Sequence, residues 1–277
     1  MAYKIIGDSC TDITEKMKKE GTVSLVPLTL TIEEEEFIDD ETFDQKEFLA
    51  KMKASPECPK SACPSPERYM QEFEGQEECY VITLSSKLSG SYNSAVLAKE
   101  MYLEEHPDAK IEIVDSRSAS SGQVLLAMKI KEFKENGFSF EEVTKKITEF
   151  RKTMETRFVL ESLENLRKNG RLSRVTYTIC NVLNIRPVMR ADDGEIVKVD
   201  QVRGHNKALM RMVEHIAEDA KSAMKDIVVI AHCNNRERAE LVKREILKRV
   251  PFKKSFIVET AGVSTLYANN GGIIVSY

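Results

Sequence analysis

Serines crowd the stretch Tyr80 to Ala95, YVITLSSKLSGSYNSA. An apolar run, Tyr80 to Leu84, breaks into Ser85, Ser86, Ser89, Gly90 and Ser91, and a helical pattern follows through Ala95, Ala98 and Tyr102. That order predicts a strand, a hydroxyl-rich turn and a helix start. A helix start offers unpaired N–H groups and the positive end of a dipole, which suits an anion. Serine hydroxyls add donors without adding charge, so the chemistry on offer is the holding of a small anionic head group by neutral donors.

Two more strand ends have the same character. Ile6-Gly7 leads to Asp8-Ser9 with Thr11 and Asp12 behind, and Val114 leads to Asp115-Ser116 with Ser118, Ser120 and Ser121 behind. Ligands of open α/β sheets bind outside the carboxyl ends of the strands. Each residue alone reads as a helix cap; the three ends together read as a polar rim. A phosphotransferase or hydrolase built on Asp8, Ser9 and Asp115 around a metal is the alternative. It finds no Walker A, G-x-G-x-x-G, H-E-x-x-H or G-x-S-x-G motif to support it. His106, His205, His215 and His232 stand apart from these serines in sequence. Six cysteines show no C-x-x-C pair, which points to free thiols rather than zinc.

The elements that must position these groups alternate. Strands are expected at Tyr3–Gly7, Val23–Ile32, Tyr80–Leu84 and Ile111–Val114. Helices are expected at Thr11–Lys19, Gln45–Met52, Pro66–Phe73, Gln123–Glu135 and Phe140–Thr153, with the proline-rich span 55–66 as a loop. This rhythm predicts a parallel sheet with helices on both faces, over residues 1–155. Residues 156–277 change rhythm: a strand at Arg157–Leu160, helices at Leu163–Lys168 and Thr176–Leu183, and a hairpin turning at Asp192-Asp193-Gly194. A long helix at Lys207–Lys221 and a strand–helix–strand unit complete a mixed sheet with helices mainly on one face. The fold class is therefore α/β with two domains, and the site is expected at and near their interface.

Composition excludes other classes. The 277 residues carry 41 Lys+Arg against 45 Asp+Glu, a net charge of −4. That balance argues against nucleic-acid binding through a basic field, and so against a DNA-contacting regulator; a lipid-sensing regulator remains a further alternative. No apolar run is long enough to span a membrane, and the expected location is cytoplasmic. Arg167 to Arg174 is a basic stretch at a helix end; Arg171, with Arg203 further on, is a candidate for docking a partner or a membrane surface.

Taken together, Gly7-Asp8-Ser9 with Asp12, Leu84 to Ala95, Val114-Asp115-Ser116, Leu166 to Ser173 and Leu183 to Pro187 resemble the DegV family of bacterial lipid-binding proteins along essentially the whole chain. The resemblance implies a long-chain fatty acid buried within and between two α/β domains. It also implies a carrier role, without turnover of its own, as the acyl-binding subunit of a fatty acid kinase system whose separate kinase phosphorylates the carboxylate. No cofactor or metal is implied. In that family a hydroxyl in a T-S-Q-P-S motif, the serine of L-S-G-T and a histidine in H-x-G-P-G hold the carboxylate. Here the first reads Ser61-Ala62-Cys63-Pro64-Ser65, the second supplies Ser89 with Gly90 and Ser91, and Ala268 stands where the histidine is expected. Asn269 or Asn270 is then the candidate substitute donor.

Overall fold

The computed structural model describes residues 3–172, 185–223 and 226–277. The expected helix at Thr176–Leu183 lies outside the described residues, as do Ser173 and Leu183-Asn184 of the motif blocks. The elements run β1 (Tyr3–Asp8), α1 (Glu15–Glu20), β2 (Val23–Val26), β3 (Thr29–Ile32), β4 (Glu35–Ile38), α2 (Gln45–Ala54) and β5 (Lys60–Ala62). Next come α3 (Pro66–Phe73), β6 (Glu78–Thr83), α4 (Ser91–Glu105), β7 (Lys110–Asp115), α5 (Ser121–Glu135), α6 (Phe140–Thr153), β8 (Thr156–Val159) and α7 (Glu164–Lys168). The remaining elements are β9 (Ile185–Asp192), β10 (Glu195–Arg203), α8 (His205–Ala223), β11 (Ile227–His232), α9 (Arg236–Leu247), β12 (Lys254–Glu259), α10 (Gly262–Ala268) and β13 (Ile273–Ser276).

The first sheet is parallel, in the order β2-β1-β6-β7. Its central strand β6 is buried at every position, as a strand covered on both faces must be. Helices α3 and α4 cover one face through Tyr69, Phe73, Ala95 and Ala98. Helices α1, α5 and α6 cover the other through Met17, Leu125, Val143 and Ile147. The second sheet is mixed, in the order β10-β9-β8-β13-β11-β12, with β11 and β12 parallel and the other pairs antiparallel. Helices α8 and α9 pack on one face through Leu209, Met212, Val213 and Val242. The opposite face rests on α5, whose apolar residues share one core with Ile227, Val229, Ala231 and Val258. The expected fold class holds.

Local chemistry explains the boundaries. Asp44 caps α2 by accepting from the N–H groups of Lys46 and Glu47. Ser139 and Glu142 form a reciprocal capping box at α6. Asp193 and Gly194 both have positive φ, +46° and +89°, the signature of a two-residue hairpin turn whose twist suits its strands. Three expectations need correction. The strand region Val23–Ile32 breaks at Pro27-Leu28, so β2 joins the first sheet while β3 leaves it. Pro27 has no N–H to continue a ladder. The first helix starts at Glu15, because Thr14 accepts from Met17 N–H and sets the cap there. The proline-rich loop contains β5, which joins β3 and β4 in a small antiparallel sheet with Ser61 opposite Leu30.

Candidate functional site

A cavity of about 340 Å³ lies where the two large sheets and the small sheet meet, within the range of about 300–1,000 Å³ typical of small-molecule sites. Its walls come from both halves of the chain. Leu84 and Ala119 face Phe158, Leu160, Leu166 and Ile274 across it. Val263 and Ala268 of α10 and Ile196 of β10 complete the apolar lining. Most of these side chains are buried, so the interior suits a long apolar group.

One end of the cavity is polar and reaches the surface. Ser61 on β5 and Ser89-Gly90 ahead of α4 line it, beside the exposed Ala62 and Cys63. Ser61 Oγ and Tyr267 Oη are 3.1 Å apart, and burial raises the Tyr267 phenol, which keeps it a neutral donor. Ser89 Oγ accepts from the N–H of Ser91 at 3.2 Å, leaving its hydroxyl proton free to donate elsewhere. Arg171 lines the same cavity and donates through Nε to Leu88 O at 3.0 Å and through Nη1 to Asn169 O. Among the described residues it is the one cation on the wall. Two hydroxyls, a phenol and a guanidinium can meet a carboxylate here.

The structure therefore brings together Ser61, Ser89, Gly90 and Arg171. It separates others. The Ser91 hydroxyl points into the protein, donating to Asp8 Oδ2 at 2.5 Å and lying 2.7 Å from Tyr69 Oη. Helix α10 ends at Ala268, which does line the cavity, while Asn269 takes a left-handed φ of +55° and turns the chain away. Exposed Asn270 accepts from Asn234 Nδ2. Arg203 closes the β10 pairing opposite Ile185 and is not on the wall. Tyr267 went unnoticed in sequence; its signal was a phenol in the segment where the family histidine is expected.

Asp8, Ser9 and Asp115 form no open site. Asp8 is fully buried and accepts from Ser91, Leu84 N–H and Gln123 Nε2. Ser9 donates to Asp39 at 2.8 Å and accepts from Leu28 N–H. Asp115 accepts from Ser86 and from the N–H of Arg117. Strand β6 lies between β1 and β7, placing the two strands roughly 10 Å apart. Among the described residues, no three His, Cys, Asp or Glu side chains converge to hold a metal ion.

Two buried carboxylates brace the cavity wall instead. Asp39 accepts from Gly262 N–H at 2.5 Å and Val263 N–H at 2.8 Å, fastening the start of α10. Asp12 accepts from Ala261 N–H at 2.6 Å and Ser120 Oγ at 2.5 Å. The latter bond holds Ser120 in a strained backbone, φ +54° and ψ −117°. Burial pushes Asp12 up to about 7 and Asp39 up to about 6, against the hydrogen bonds that favour ionisation. A carboxyl whose folded pKa is raised contributes stability below its unfolded pKa and loses it as pH rises through the folded one. Asp12→Asn mimics the protonated form, so its stability relative to the parent should rise by about 2–3 kcal/mol from pH 5 to pH 8. Urea midpoints at the two pH values test this; parallel profiles would refute it.

Two α/β sheets joined over a largely apolar cavity with a polar mouth define a class of small-molecule-binding protein, and comparison with known proteins identifies the family. The DegV model, described as an uncharacterised protein family, matches residues 2–277. A DegV domain-containing protein of Streptococcus pneumoniae R6 is 36% identical over 280 residues, covering 100% of this chain and 99% of its own. A DegV family structure from Ruminococcus gnavus, refined with vaccenic acid, superposes with a TM-score of 0.95 at 44% identity, covering 100% of both chains. The S. pneumoniae fatty acid kinase (Fak) B3 protein loaded with linoleic acid gives 0.89 at 34% identity, covering 100% of this chain and 99% of that one. The chain belongs to the DegV family.

Proposed function

We propose that this protein binds one long-chain fatty acid and carries it, without turnover of its own, to a separate kinase. The carboxylate sits at the Ser61–Ser89 end and the acyl chain fills the apolar cavity. The observation that carries this reading is the cavity's polarity: neutral donors and Arg171 at a surface mouth, aliphatic walls behind. Similar proteins with bound vaccenic and linoleic acid support it. A carboxylate at the surface is where a partner enzyme could reach it, which favours the kinase-subunit reading, and Arg171 stands beside that mouth to meet either the head group or the partner. Arg203 is the more distant candidate for partner or membrane-surface docking. With a methyl group at Ala268, Tyr267 beside Ser61 takes the place of the missing imidazole as a donor. Among the described residues, no helix is long and apolar enough to cross a membrane.

Mass spectrometry of lipid extracted from the purified protein tests the central claim. Recovery of stoichiometric C16–C18 acids is expected; lipid-free protein that takes up neither palmitate nor oleate would sink it. Ser89→Ala should weaken binding by about 1–3 kcal/mol, because a carboxylate oxygen held in the mouth loses a charge-assisted donor. An unchanged Kd in a titration would place the carboxylate elsewhere.

A further inference from the structure

The tip of the β9–β10 hairpin overhangs its sheet. Strand β9 pairs with β8 only at Arg157–Arg190 and Phe158–Met189, so Ala191 to Ile196 extends beyond that pairing. On its inner side Ala191, Gly194, Glu195 and Ile196 line the acyl cavity. On its outer side Ala191, Asp192 and Asp193 line a second cavity of about 270 Å³, bounded also by Arg117, Arg151 and Glu155. Thr156 and Ala191 line both, so these two residues stand between the cavities.

The tip is fastened to the first half of the chain by a small set of bonds. Ser85 Oγ donates to Gly194 O at 2.8 Å. Arg117 Nη1 donates to Asp193 O at 3.0 Å and pairs with Asp193 Oδ1 at 2.7 Å. Arg117 is itself set by Asp115, 2.8 Å from its Nε. Gly194 allows the close seat: a Cβ there would stand 2.5 Å from Ser85 Oγ. The ion pair is weak by location, since the Asp193 side chain is 85% exposed. A register shift in β10 between Lys198 and Asp200 gives the hairpin a natural bending point behind the tip.

We propose that this tip is a gate on the flank of the acyl cavity, latched by Ser85 and Arg117. Latched, it retains the chain; lifted, it joins the two cavities and lets a long-chain fatty acid pass. The inference rests on the acyl-binding reading above. A gate differs from a wall in kinetics: loosening it speeds both arrival and departure and leaves the equilibrium nearly untouched.

The test is stopped-flow exchange of cis-parinaric acid between the full chain and phosphatidylcholine vesicles. Ser85→Ala and Arg117→Ala, at residues that do not line the acyl cavity, should each raise the association and dissociation rates by about tenfold, the kinetic worth of one or two such bonds. Their Kd should stay within about threefold of the parent. Raising the salt to 1 M should speed both arrival and departure in the parent, because it screens the Arg117–Asp193 pair that holds the tip. The salt arm uses no variant, so it decides the question even where a variant folds poorly. Unchanged rates, or a faster departure alone with a matching loss of affinity, would overturn the gate while leaving acyl binding intact. Failure of the parent to bind parinarate at all would instead overturn the acyl-binding reading.

Discussion

Asp39→Ala is expected to cost about 4 kcal/mol of folding stability and to abolish ligand binding at the remaining folded fraction. The Asp39 carboxylate is 2% exposed and accepts from Ser9 Oγ, Gly262 N–H and Val263 N–H. Alanine leaves three buried donors unpaired, each worth about 1–3 kcal/mol. The backbone they hold is the start of α10, whose Val263, Ser264, Tyr267 and Ala268 line the cavity. The damage therefore passes from a residue that never touches the ligand to the wall that does. Urea denaturation measures it, with Asp39→Asn, which retains one acceptor, losing less. A cost under about 1 kcal/mol would mean that α10 is held by its packing and not by this carboxylate.

Shortening the ligand should be as damaging as removing Asp39. Each buried methylene is worth about 0.8 kcal/mol. Going from about sixteen carbons to about ten removes six methylenes, or about 5 kcal/mol, and should weaken binding more than about 1,000-fold. The residues responsible are Phe158, Leu160, Leu166, Ile196 and Ile274, none of which can offer a hydrogen bond in compensation. Competition titrations across an even-numbered series measure the slope. A loss below about tenfold over that range would show that the carboxylate, and not the chain, dominates recognition.

Much of this arrangement is written in local pattern. The β6–turn–α4 unit is legible from Tyr80 to Tyr102 because its strand, hydroxyl turn and helix follow one another within the chain. The hairpin announces itself through Asp193-Gly194. Ser61 comes from resemblance rather than pattern: β5 has three residues, none with a strong strand signal, and owes its existence to pairing with β3 about thirty positions away. Ser91 misleads for a physical reason. A buried carboxylate, Asp8, draws hydroxyls inward, and no spacing rule reveals which of two neighbouring serines it takes. Tyr267 and Arg171 reach the mouth from α10 and the turn after α7, elements adjacent only in three dimensions.

Helix α5 has a consequence for how the molecule comes apart. Its residues 121–127 are all buried, because one side meets Tyr80, Ile82 and Val114 while another meets Val229 and Ala231. The hydroxyls of Ser118, Thr156, Ser276 and Ser121 run in a chain from the turn after β7, across β8 and β13 of the second sheet, and back to the start of α5. Cutting the chain between residues 155 and 156 would strip α5 of half its neighbours and leave those hydroxyls facing nothing. The fragments should be insoluble alone and rescue each other when co-expressed, and the intact chain should melt in a single step.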